Sequence, residues 1–288
     1  MRSLAQFAMR GPVQASGLAA LTTAVPLLFW IGASVVGLVI LRMGVGQGMM
    51  VGLWALLPAL GWSYFAQDPS ALAVLLQVLV MATILRVSVS WEKALIGGGL
   101  VAIVSGLASP LLFPELLDQL VMAGERVFEQ LASQSGGELA PGAVEGLRYT
   151  MNASMIGAFY VTGVLLTMLA RRWQSALFNP GGFRQELHGF RLSPVVAGLC
   201  ALAVLAAQQL GPSLAIVGWA GAIPLAVAGL AMVHGIVAQR GMSKGWLIAG
   251  YIALVLLSPA LFLLLLIMAF VDSWLDFRKR IKPSGPAE

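Results

Sequence analysis

Side chains able to do chemistry are few in this chain, and they are scattered. The only histidines are His188 and His234, and neither has an acidic or cysteine neighbour at metal-ligand spacing. The single cysteine, Cys200, sits inside an apolar run, where it can form no internal disulfide and no cysteine-based metal site. Asn179-Pro180-Gly181-Gly182 has the composition of a turn but lacks the lysine and serine of a phosphate-binding loop. Neither a Gly-x-Ser-x-Gly elbow nor a His-Glu-x-x-His helix occurs. No catalytic residue, metal site or cofactor is expected, and the chain does not read as an enzyme.

What remains is a set of polar and ionisable groups inside apolar runs, where such groups are costly and tend to be functional. Arg86, in ATILRVSVSWEK, lies near the end of its run. It can snorkel to water, or it can face the interior and pair with Glu92 or an anionic ligand. Gln77 precedes it on the same run. Asn152, Ser154, Tyr160, Thr162 and Thr167 make the run from Tyr149 to Ala170 the most polar of the set. Hydrogen bonds between helices, worth about 0.6 kcal/mol each, account for that polarity; a ligand pocket is the sharper alternative. The ligand-binding candidates are thus Arg86, Asn152, Ser154 and Tyr160. In the tail, FVDSWLDFRKR, Asp272 and Asp276 stand one helical turn apart, and Asp276 precedes Arg280 by the four residues of a helix-supporting ion pair. Trp274, Phe277 and the basic cluster after them read as interface anchors.

These groups need a scaffold, and composition dictates its kind. Hydrophobic residues make up 59% of the 288 and charged residues only 10%, against about half and a quarter in a soluble domain. The mean hydropathy is +0.90. The expected fold is all-α, a single integral membrane domain spanning residues 1–288. Its apolar runs are Pro12–Leu41, Gly46–Ala66, Ser70–Val89, Ala94–Phe113, Tyr149–Ala170, Val195–Leu210, Ser213–Ala238 and Trp246–Phe277. A helix needs about 20 residues to cross the hydrocarbon, so the first and last are too long for one simple crossing. Each carries a central proline, Pro26 or Pro259, where a helix breaks or kinks.

Charge placement favours a fold-back at both prolines. The cytoplasmic side then collects all 17 basic residues except Arg126 and Arg148, as the positive-inside rule demands, and both termini lie in the cytoplasm of a bacterial inner membrane. The half-runs, at about 14 residues and 21 Å, are short for a crossing and need shelter from neighbouring helices. The run is retained rather than cleaved as a signal peptide, because it is too long and lacks a cleavage site. The net charge of +5 is explained by this asymmetry, so the bilayer and not nucleic acid is the expected partner.

Two segments outside the runs carry helical periodicity. Residues 114–148 open with PELLDQLVMAGERVFEQLA, whose Leu116, Leu117, Leu120, Val121, Phe128 and Leu131 recur at helical spacing with Glu115, Asp118, Glu125, Arg126 and Glu129 on the other side; this predicts an outer amphipathic helix, followed by a flexible SQSGGELAPGA stretch. Residues 171–192 form a cytoplasmic loop with an interfacial helix presenting Phe183, Leu187 and Phe190, and 278–288 form a cytoplasmic tail. Small residues recur at helical spacing, including Ala15-x-x-x-Ala19 and Ala20-x-x-x-Ala24, which lets helices approach closely within the bundle or on a partner.

The stretches FNPGGF at Phe178–Phe183, VDSWLDFRKR at Val271–Arg280 and PLLFWIGASVVGLVILRMG at Pro26–Gly44 together resemble the YybS-like family of bacterial multi-pass membrane proteins, over nearly the whole chain. That family is distantly similar to the substrate-binding S-components of energy-coupling-factor transporters. The resemblance implies a small-solute-binding transport subunit, with Ala15, Ala19, Ala20 and Ala24 docking a transmembrane coupling subunit. A non-catalytic scaffold recruiting partners through its cytoplasmic segment and tail is the competing expectation.

Overall fold

A computed structural model describes residues 2–135 and 143–280, and every element among them is helical. The helices are α1 (Arg2–Ala8), α2 (Pro12–Ala24), α3 (Phe29–Met43), α4 (Val45–Phe65), α5 (Ser70–Ser88), α6 (Trp91–Leu112), α7 (Pro114–Ser135) and α8 (Ala143–Phe178). They continue with α9 (Gly182–Gly189), α10 (Pro194–Leu210), α11 (Ala215–Gln239), α12 (Gly245–Leu256), α13 (Ala260–Leu275) and α14 (Phe277–Arg280).

By length and apolarity, five helical segments can cross a membrane: α4, α5, α6, Val144–Phe178 of α8, and Pro212–Gln239, which contains α11. The pair α9 and α10, bent by 69°, makes a sixth if counted as one span. The eight expected runs thus do not become eight long helices. The first is broken between Ala24 and Phe29, where Leu27 takes a left-handed conformation at φ 67°. The last is broken between Leu256 and Ala260. Both breaks fall at the expected prolines, each of which withdraws a backbone donor and crowds the preceding turn. Pro58, Pro110 and Pro224, by contrast, lie inside α4, α6 and α11, so proline alone does not dictate a reversal.

Helix directions follow from contacts. Trp62 at the end of α4 donates to the Ala24 carbonyl at the end of α2 (3.2 Å), while a Cβ on Gly48 or Gly52 would meet Ile40 or Val36 of α3. So α2 and α4 run one way and α3 the other, and α2 folds back on α3. The same logic pairs α5 with α6, α6 with α8, and α10 with α11 in antiparallel fashion, while α3, α5, α8 and α11 run in parallel through the middle. Their closeness depends on missing side chains: a Cβ on Gly37 of α3 would stand 3.0 Å from Ala170 of α8 and from Val78 of α5. In lipid, such close packing replaces the hydrophobic effect as the force between helices.

This arrangement sorts charge. Arg10, Arg42, Arg86, Lys93, Arg171, Arg172, Arg184, Arg191, Arg240, Lys244 and Arg278–Arg280 lie at one end of the bundle. The opposite end holds Asp68, Glu115, Asp118, Glu125, Glu129 and Glu145, with Arg126 and Arg148; Arg148 pairs with Asp118 there. The helix α7 lies at this acidic end with Leu117 and Val121 buried and Glu115, Asp118, Arg126 and Glu129 exposed, but Phe128, expected on the inner face, is exposed too, and Leu120 and Glu125 are half-buried. Of the expected flexible stretch, residues 133–135 complete α7 and 136–142 lie outside the described residues, as do residues 281–288 of the tail.

The expected loop at 171–192 needs correction. Its first part, RRWQSALF, continues α8 to Phe178. The chain then turns at Asn179–Gly182, where Gly181 adopts φ 89°, and α9 follows with Phe183 and Leu187 against the core and Phe190 buried.

Candidate functional site

Three polar regions stand out, and the sequence candidates divide among them. In the middle of the bundle, Asn152 and Tyr160 are spent on structure. Asn152 is buried, accepts from the Ser109 hydroxyl (2.6 Å) and donates to the Gly106 carbonyl (2.8 Å). Tyr160 is wholly buried and donates to the Leu95 carbonyl. Its ring fills the space over Gly98, where a Cβ would stand 2.6 Å from the ring edge. These bonds tie α8 to α6 at two depths. Thr162 and Thr167 each donate to a carbonyl four residues earlier in α8. Nearby, Gln77 faces Gly163 of α8, and its side-chain oxygen is buried without a partner.

Toward the acidic end lies a cleft of ≈ 820 Å³ between α8, α10, α11 and α13. Ser154, the remaining candidate on α8, lines it with Thr150, Gln208, Gln209 and Trp219. The rest of the wall is apolar, including Val204, Ala222, Phe262 and Leu266, and no charged side chain contributes. Trp219 is seated by Gly157, whose absent side chain leaves the indole room against α8. A cleft of this size and lining suits an apolar molecule with a few uncharged hydrogen-bonding groups.

At the basic end, Arg86 lines a second, smaller cleft of ≈ 170 Å³ with Leu41, Leu85, Val89, Trp91, Arg171, Gln174 and Glu186. The structure does not pair Arg86 with Glu92. The Glu92 carboxylate instead accepts the backbone N–H of Ser193 at the start of α10, where the helix dipole favours negative charge. Arg86 donates to the Leu41 carbonyl at the end of α3 (2.9 Å), which also accepts from Gln174 (2.8 Å). Arg171 grips Glu186 with two donors and Gln174 with a third, and the Trp91 indole donates to Glu186 (3.3 Å).

Beside this, the tail is docked rather than free. Arg278 is buried, pairs with buried Asp272 (2.8 Å), and donates to the carbonyls of His188 (2.9 Å) and Phe190 (2.8 Å). The expected Asp276–Arg280 pair does not form, because Asp276 takes φ 46° and ends α13. Asp276 forms ion pairs instead with Lys279 (3.0 Å) and Arg191 (3.4 Å). Burial pushes its carboxyl up, but Lys279 and Arg191 outweigh that and hold it below the ordinary carboxylate value.

Of the docking candidates on α2, Ala15 and Ala19 are buried against the bundle, Ala20 is half-buried and Ala24 is exposed. The candidates Arg86, Asn152, Ser154 and Tyr160 therefore do not share one pocket. Sequence reasoning missed Arg171, Gln174 and Glu186, although a lone acid among the basic residues of 171–192 was a signal. It also missed Gln208 and Gln209, a polar pair at the end of an apolar run. No group of three His, Cys, Asp or Glu that could hold a metal occurs among the described residues. No family model, curated protein or solved structure matches the chain.

Proposed function

We propose that this chain is an integral inner-membrane protein, with its basic end and both termini in the cytoplasm, that captures an uncharged and largely apolar solute as the binding subunit of a transporter. The observation that carries this reading is the ≈ 820 Å³ cleft between α8, α10, α11 and α13, lined without a single charge. The orientation is supported by the segregation of basic residues to one end. In this arrangement α2–α3 and α12–α13 enter the bilayer as proline-broken hairpins, giving eight apolar segments in all. The helix α7 lies along the outer surface with Leu117 and Val121 inward, and α9 lies at the cytoplasmic interface.

The resemblance to S-components supports the same role. The sequence carries no phosphate-binding loop, so energy for transport comes from a partner ATPase through a coupling subunit. On α2, Ala20 and Ala24 remain available to such a subunit, whereas Ala15 and Ala19 serve internal packing. The scaffold reading is weakened because Asp272, Asp276 and Arg278, its best recruiting residues, are engaged within the chain.

The test is purification of the tagged protein from native membranes, with mass spectrometry of everything that accompanies it, for wild type and Ser154→Phe. A stoichiometric uncharged small molecule that Ser154→Phe excludes is the expected result. Partner proteins with no small molecule in either sample sink the transport reading in favour of the scaffold.

A further inference from the structure

We infer that the Arg86 cleft at the basic end is a binding site for a phosphate-bearing anion, separate from the solute cleft at the other end. Four ionisable or polar groups line the cleft beside the Trp91 indole: Arg86, Arg171, Gln174 and Glu186. Glu186 is the sole carboxylate, and both its oxygens are occupied by Arg171, with Trp91 adding a further donor. Gln174 is also committed, accepting from Arg171 and donating to the Leu41 carbonyl. Arg86 is different. Among the described residues it makes a single hydrogen bond, through Nη1 to the Leu41 carbonyl, and no ion pair. That bond holds the guanidinium at the cleft and leaves Nε and Nη2 unspent.

A planar fork with free donors matches the oxygens of a phosphate in a way a point charge does not. The cleft volume of ≈ 170 Å³ admits several waters or one phosphate-sized group and excludes an acyl chain. Its place among helix ends is where basic pockets meet lipid headgroups. A phospholipid headgroup and a free phosphate share the chemistry that this site recognises, and the experiment separates them.

The full-length protein, delipidated in detergent, is titrated with phosphatidylglycerol, phosphatidylcholine or inorganic phosphate, and bound species are counted by native mass spectrometry. Wild type is expected to bind phosphatidylglycerol more tightly than phosphatidylcholine, and Arg86→Gln to weaken that binding roughly tenfold or more, the loss of a charge-assisted hydrogen-bond pair. Arg86→Lys, which keeps the charge without the fork, falls between them. Arg42→Gln serves as the control, since Arg42 sits over the Phe178 ring at 4.1 Å and does not line the cleft; it leaves binding unchanged. Displacement of the lipid by millimolar inorganic phosphate assigns the site to a soluble anion, and its failure to displace assigns it to a headgroup. Melting curves matching wild type show that Arg86→Gln is folded. Equal binding by wild type and a folded Arg86→Gln, or no preference for either anion over phosphatidylcholine, overturns the assignment.

Discussion

Replacing Arg278 by methionine probes the most buried ion pair among the described residues, with side-chain exposures of 7% for Arg278 and 3% for Asp272. The guanidinium makes three bonds: to Asp272 at 2.8 Å and to the carbonyls of His188 and Phe190 at 2.9 and 2.8 Å. At about 1.5–3 kcal/mol per bond involving a charge, a simple addition would give about 5–9 kcal/mol. Bonds that share one group do not add, and measured losses of one partner from a buried pair run about 3–5 kcal/mol, because the other charge stays behind uncompensated. The Asp272 carboxylate would keep only the Phe277 backbone N–H at 2.8 Å. Arg278→Met is therefore expected to lose about 3–5 kcal/mol, read from unfolding in mixed micelles at increasing fractions of denaturing detergent. The double variant Asp272→Leu/Arg278→Met removes the orphaned charge and is expected to lose less than Arg278→Met alone. Trypsin should also cut after Lys279 and Arg280 faster in Arg278→Met, as the tail leaves the α9–α10 connection. A loss below about 1 kcal/mol, or a double variant that costs the sum of its parts, refutes the reasoning: the pair would then be solvated and its burial irrelevant.

Other expectations follow from the same kind of accounting. Gly98→Ala places a Cβ 2.6 Å from the Tyr160 ring and 2.9 Å from the Met81 sulfur, and it should cost about 1–3 kcal/mol by overpacking. Gly17→Ala, with nothing within 4 Å of its Cβ, should cost nothing in the same unfolding assay. Asn152→Leu removes two bonds between α8 and α6 and should lose about 1 kcal/mol, small because polar groups in lipid average about 0.6 kcal/mol per bond. The depressed carboxyl of Asp276 contributes stability that is present above its unfolded pKa and is lost as pH falls through its lower folded value. Melting temperature measured from pH 7 downward should therefore drop more steeply below about pH 4 in wild type than in Asp276→Asn.

Much of the fold was legible because lipid makes length and apolarity decisive. The runs Gly46–Ala66, Ser70–Val89, Ala94–Phe113 and Ser213–Ala238 each became one helix with ends shifted by a few residues. Pro26 and Pro259 were readable as breaks because each stands centrally in a run too long to be one crossing. The extension of α8 through Arg171 and Arg172 was not readable. Two adjacent arginines mark the end of an apolar run, yet a helix continues past the hydrocarbon wherever its residues favour it, and RRWQSALF contains nothing to stop it before Asn179-Pro180. The reversal at Asp276 was hidden for a different reason. The sequence spacing offered a helical pair with Arg280, but Asp272 gains more by accepting from Phe277 and Arg278 across a turn that ends the helix.

Site residues were harder to read, for a reason that belongs to the membrane. In a water-soluble helix the apolar stripe tells which face is inside, because the other face must be polar. A helix in lipid can be apolar all round, so its sequence does not say which residues meet neighbours and which meet acyl chains. Ala15 and Ala19 could equally have faced a partner, and burial shows that they face this chain instead. The same ambiguity lets Asn152, Ser154 and Tyr160, close in sequence, divide between internal bonds and an open cleft. Asn152 and Tyr160 meet the small residues Gly106 and Gly98 of α6, whereas Ser154 lines the open cleft between α8, α10, α11 and α13. What distinguishes a ligand group from a structural one is thus whether its hydrogen-bonding atoms are spent. By that criterion Tyr160 and Asn152 are scaffold, and Arg86, Ser154, Gln208 and Gln209 keep capacity for something outside the chain.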